Sequence, residues 1–134
     1  MGTKIFVNLP VQSLKRSTEF FGKLGYTFNP KFTDENATCM VISEDIYAML
    51  LVKPFFKGFI GKKEIADSTT TTEALIALSV DSRAAVDEYM KKVLEGGGTE
   101  TKEPSDLGFM YQRSFADLDG HQWEIFWMDP KAAQ

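Results

Sequence analysis

The chain has one histidine, His121, and one cysteine, Cys39, and this bounds the chemistry open to it. A zinc centre of the Cys/His kind needs three or four such ligands, which one chain here cannot supply. A lone cysteine makes no internal disulfide, so a reducing, cytoplasmic setting is expected. Cys39 lies beside Met40 and Val41 with no cationic neighbour in sequence, and it reads as a small hydrophobe rather than a nucleophile. His121 follows Asp119-Gly120 in a turn and is expected to be structural. Chemistry therefore falls to carboxylates, and Glu124 stands out within the apolar and aromatic run Gln122–Met128. Desolvation there is expected to raise its pKa and suit it to general acid or base work. Arg113, on the preceding strand, is the expected counter-charge.

Composition narrows the partners. At 134 residues and 15.1 kDa the chain fits one ordinary domain. With 43% hydrophobic and 25% charged residues it can bury a core, which excludes wholesale disorder. A net charge of -4 gives no basic surplus for nucleic acid or an anionic membrane, so neither is expected as a partner. The apolar run Ile5-Phe6-Val7 is too short for a signal peptide, and the other apolar runs are strand-sized.

The elements that must position these residues come in a repeated order. Residues 5–11 read as a strand. Ser13 is an N-cap candidate, and Leu14, Ser17, Phe20, Phe21 and Leu24 follow at helical spacing before Gly25. Strands are expected at 26–28, 38–43 and 46–52. The second half repeats this pattern. A strand at 74–80 precedes the N-cap candidate Ser82, and Val86, Tyr89, Met90 and Val93 form a helical stripe that Gly96-Gly97-Gly98 ends. Strands are expected near 99–102, at 109–116 and at 122–128. In register, Phe6 falls on Leu75 and Met49 on Glu124. Module one spans 4–52, a linker 53–72 and module two 73–129. The linker mixes Phe55, Phe56, Phe59 and Ile60 with lysines and glycines, which predicts a satellite cluster that packs back, or a lid. Its threonines, 69–72, are expected to be a solvated spacer or a poorly ordered loop.

Val7-Asn8-Leu9-Pro10-Val11 with Leu14, Ser17, Phe20, Phe21, Leu24 and Gly25, then Leu78-Ser79-Val80-Asp81, then 115–124, form an ordered set. The set resembles the vicinal oxygen chelate superfamily: glyoxalase I, fosfomycin- and bleomycin-resistance proteins and extradiol dioxygenases. The resemblance covers nearly the whole chain. It implies an α+β fold of two tandem βαβββ modules, with a cup-shaped mixed sheet and helices outside. It also implies a homodimer, and a metal held at positions that fall on Phe6, Met49, Leu75 and Glu124. Only Glu124 among these is a hard donor, so no metal site and no cofactor are expected, a divalent ion being the remaining alternative.

Side chains alternate along a strand. Phe6 and Asn8 then share the cup face with Tyr47 and Met49 in module one. Leu75 and Ser79 share it with Gln122, Glu124 and Phe126 in module two. These predict an apolar cup for a small organic ligand, with Glu124 as the catalytic candidate. Two alternatives stand beside this binding module. One is a glyoxalase-type enzyme, a metal-dependent lyase, transferase or dioxygenase, or a metal-free proton-transfer enzyme using Glu124. The other is a dimeric interaction protein whose cup is filled by its own chain.

Overall fold

Ser13 holds extended backbone, and its hydroxyl accepts the Arg16 amide at 3.2 Å. That bond satisfies an amide with no partner inside the helix, and the helix starts there. The computed structural model describes residues 2–132. The chain divides into two compact units between Ala66 and Asp67.

The first unit runs β1 (Ile5–Val11), α1 (Leu14–Lys23), β2 (Thr27–Asn29), a 3-10 turn (Pro30–Phe32), β3 (Ala37–Ser43), β4 (Ile46–Val52) and α2 (Lys53–Lys57). Gly25 takes a φ of 107°, which lets the chain leave α1 and enter β2. The sheet order is β1-β4-β3-β2, with β1 parallel to β4 and the other pairs antiparallel. Phe20 and Phe21 of α1 are buried together with Met40, Ala48 and Leu50 of the sheet. The phenylalanine, methionine and leucine side chains each contribute about 1.5–3 kcal/mol when removed from water, which is what makes these strands and this helix one body.

The second unit begins with an ordered turn. The Asp67 carboxylate accepts both the amide and the hydroxyl of Thr69, and its carbonyl accepts the Thr70 and Thr71 amides. Thr72 donates to Gln122 Oε1 at 3.0 Å. The threonine run is exposed, in keeping with a solvated spacer, but it is an ordered turn, because Asp67 satisfies its backbone groups. There follow β5 (Ile76–Ser79), α3 (Arg83–Glu95), β6 (Thr99–Glu100), β7 (Ser105–Asp106), β8 (Met110–Ala116) and β9 (Gln122–Met128). Ser82 caps α3 by accepting the Ala85 amide at 3.0 Å. The sheet order is β5-β9-β8-β6, and β7 also pairs with β8. Tyr89 of α3 meets Phe115 at 5.9 Å, and Phe115 stacks on Trp123 at 6.3 Å, which shows the face that α3 covers.

The repeat holds in three dimensions. In the parallel pair of the first unit Asn8 stands opposite Met49. The displacements that carry Phe6 to Leu75 and Met49 to Glu124 carry this pair onto Ala77 and Glu124, which stand opposite one another in the second. The protein is α+β, with two βαβββ-type modules and two mixed sheets. Several details differ from the pattern read in sequence, among them helix α2 at the start of the stretch read as a linker. The strand expected at 74–80 is confined to Ile76–Ser79, which leaves Leu75 just outside it and 58% exposed. β7 was not anticipated, since two residues carry no readable alternation. Among the described residues no helix is long and apolar enough to cross a membrane.

Candidate functional site

β9 places Glu124 on the sheet face turned away from α3, because Trp123 and Ile125 on either side of it are fully buried toward the helix. Its cross-strand partners are Ala77 on β5 and Ser114 on β8. The Ser114 hydroxyl lies 3.4 Å from Glu124 Oε2, and Lys102 Nζ lies 3.9 Å from the same oxygen. The Glu124 side chain is only 16% exposed, whereas that of Lys102 is 53% exposed. Phe126 shares this face and stands opposite Ser79 and Gln112. Gln122 shares it too, with its amide oxygen engaged by Thr72.

Arg113 is not the partner of Glu124. It lies one residue out of step with Ser114 and points to the opposite face. There its Nε and Nη2 donate to the two carboxylate oxygens of Glu100 at 2.8 and 2.9 Å, and Nη1 donates to Asp87 at 2.9 Å. A one-residue step in a strand exchanges faces, which is why nearness in sequence misassigned the pair. These contacts raise the pKa of Arg113, with the Glu100 hydrogen bond the largest cause. Glu100 is lowered in turn by Arg113, and Asp87 by the Tyr111 hydroxyl and then Arg113. Beside this cluster the Arg83 guanidinium grips both oxygens of Asp106 and lies over the rings of Tyr111 and Trp127. The network ties α3 to β6, β7 and β8 and leaves the Glu124 face to other uses.

In the first unit Phe6, Asn8 and Pro10 stand opposite Tyr47, Met49 and Leu51, so one face carries all six. Phe6 and Tyr47 stack nearly parallel, with centroids 4.7 Å apart and planes 11° apart, and Phe6 is 48% exposed. Tyr47 donates to the Glu44 carbonyl at 2.7 Å. Lys4 lies 5.8 Å from the Tyr47 ring and is held by Asp45 and the Glu44 carbonyl. The Asn8 amide nitrogen turns back to the Phe6 carbonyl at 3.1 Å. Cys39 lies opposite Met49 and is buried, which pushes its thiol pKa up and away from nucleophile chemistry. In the linker, Phe55 and Phe59 meet edge to face at 5.2 Å, yet Phe59 remains 70% exposed.

The residues brought together are thus Phe6 with Tyr47, Asn8 with Met49, and Glu124 with Ser114 and Lys102. The last two of that trio escaped the sequence reading. Ser114 could have been found by counting back across the Asp119-Gly120 hairpin. Lys102 could not, because it follows a strand of two residues and reaches Glu124 across β8. Among the described residues no three His, Cys, Asp or Glu side chains gather as a metal-binding group. At the four positions where the resemblance implies metal ligands, Phe6 and Leu75 have no donor atom and Met49 has a soft thioether. That donor set does not fit a divalent ion of the hard or borderline kind.

Residues 3–43 match the family described as bleomycin resistance protein-like N-terminal. No curated protein matches the chain in sequence. A hypothetical protein from S. aureus is 27% identical over 94% of each chain, with a TM-score of 0.78. A glyoxalase/bleomycin resistance protein/dioxygenase family enzyme from Burkholderia phytofirmans PsJN is 14% identical, with 95% of this chain and 99% of that one covered and a TM-score of 0.80. A fosfomycin resistance protein from Listeria monocytogenes is 17% identical, with 100% and 99% covered and a TM-score of 0.71. The chain thus carries a segment similar to the N-terminal part of bleomycin resistance proteins, and it shares the fold of glyoxalase/bleomycin resistance/dioxygenase structures.

Proposed function

We propose that this chain binds a small organic molecule on the sheet faces turned away from α1 and α3, without the metal the family resemblance implies. The observation that carries this reading is the Phe6–Tyr47 pair. A phenyl ring stacked in parallel on a tyrosine and still 48% exposed is a flat apolar platform that the fold does not use for its own core. In the second unit, the Glu124 face carries by itself a few polar groups of the kind that orient a ligand, namely Glu124, Ser114 and Gln122. The absence of hard donors at Phe6, Met49 and Leu75 supports binding without a metal. We propose a homodimer as the working form.

Relatives named for bleomycin and fosfomycin resistance supply the first compounds to try. Calorimetric titration with each, with and without a chelator, tests the reading. Binding is expected to survive the chelator and to weaken by about tenfold or more in Phe6→Ala, the loss of one stacked aromatic contact with its buried area. Stoichiometric zinc, nickel, manganese or iron in the purified protein, lost in Glu124→Gln, would overturn the metal-free part.

A further inference from the structure

We infer that the Glu124 face selects a small organic carboxylate whose charge is met by Lys102, the lysine supplying the cation that a metal would supply in the family the chain resembles. The inference rests on the ligand-binding reading and deepens it.

Three observations meet here. Lys102 Nζ lies 3.9 Å from Glu124 Oε2, which is ion-pair distance but too long for a hydrogen bond. Among the described residues its ammonium makes no shorter contact, so its three N–H donors remain open to a ligand. Its side chain is 53% exposed while Glu124 is 16% exposed, so the pair presents its positive end outward and keeps its negative end in the sheet. The second observation is Ser114, buried on the same face with its hydroxyl 3.4 Å from Glu124. This hydroxyl and the ammonium both approach Oε2, which holds the carboxylate on the sheet with its lysine above it. The third is Phe126, two residues along β9 on the same face, at a strand spacing of about 7 Å from Glu124. A ring seated on Phe126 places a carboxylate attached to it within the reach of Lys102.

The chemistry explains why an anion would accept a site that contains an acid. Glu124 and Lys102 together are neutral, and the ammonium is the exposed partner. An incoming carboxylate meets the open donors before it meets Glu124. Arg113 of β8 and Arg83 of α3 are engaged by Glu100, Asp87 and Asp106 on the opposite face.

Benzoate and its neutral counterpart benzyl alcohol are the probes, followed by amide chemical shifts of β8 and β9 at neutral pH. Benzoate is expected to bind about two- to fivefold tighter than benzyl alcohol, the upper part of the range for one half-exposed charge contact. Lys102→Gln is expected to erase that margin and leave benzyl alcohol unchanged. Lys102→Arg is expected to keep it, which separates a charge role from a structural one. Glu124→Gln, which removes the competing negative charge, is expected to widen the margin. A margin that survives Lys102→Gln, or benzoate binding abolished by Glu124→Gln, overturns the inference. If both probes bind alike in every variant, the carboxylate inference fails while the ligand-binding reading stands. If neither shifts this face, that reading fails here and the inference with it.

Discussion

The Asp117 carboxylate accepts the indole N–H of Trp123 at 2.9 Å, and both side chains are buried. Its other oxygen accepts the amides of Asp119 and His121 at 2.9 and 3.0 Å. One acid thus closes the hairpin between β8 and β9 and seats the tryptophan that anchors the core beneath Glu124. His121 takes part through its backbone, in keeping with the structural role read for it in sequence.

Asp117→Ala is expected to lower stability by about 2–4 kcal/mol, since three donors lose a buried acceptor. Urea unfolding measures it. The pH dependence has a definite sign. Burial raises the Asp117 pKa and outweighs the hydrogen bonds that pull it down. A carboxyl that holds its proton more tightly when folded contributes stability fully below the ordinary Asp range, and that contribution is lost as pH rises through the folded value. The unfolding free energy of Asp117→Asn is expected to fall less steeply over that window than that of the wild type.

Asp106 behaves in the opposite sense. The Arg83 guanidinium, and after it the Gly108 amide, hold its pKa down to about 2. Its contribution to stability is present above the ordinary carboxylate range and is lost as pH falls through about 2. Carbon-detected titration is expected to find that low midpoint in the wild type and a higher one in Arg83→Gln, still held below the ordinary value by the Gly108 amide. Arg83→Lys is expected to restore little, because an ammonium offers neither the bidentate fork nor a plane to lie over Tyr111 and Trp127.

Gly120 and Gly25 make a matched pair. Both have positive φ, 89° and 107°. A Cβ at Gly120 would stand 2.6 Å from the Ser68 carbonyl oxygen, whereas nothing lies within 4 Å of one at Gly25. Gly25→Ala is expected to cost about 1 kcal/mol from backbone strain alone. Gly120→Ala is expected to cost about 2–4 kcal/mol and to release the docked 67–72 turn. Thermal unfolding and amide exchange at Ser68–Thr72 read the two effects, and equal costs for both would contradict the close approach.

Arg113 tests the separation of faces. Arg113→Met is expected to lower stability by about 1–2 kcal/mol through loss of its paired contacts. The pKa values of Glu100 and Asp87 are expected to rise toward ordinary ones, while ligand binding at the Glu124 face stays unchanged. A large change in binding would mean that the two faces communicate.

Sequence alone determined the principal strands, the helices α1 and α3 and their repeat. Ser13 and Ser82 announce their helices because their hydroxyls meet a fixed local need. Alternation assigns Phe6, Asn8, Tyr47 and Met49 to one face because strand geometry has period two. The scarcity of ligating residues at Phe6, Met49 and Leu75 is likewise a property of residue types. Tertiary structure decided the rest. That Glu124 is joined by Ser114 and Lys102, and not by Arg113, depends on register across β6, β8 and β9, and one step of register exchanges every side chain between faces. That the threonine run is an ordered turn depends on Asp67 and on the bare backbone of Gly120. Such pairings join residues far apart in the chain, and no local pattern encodes them.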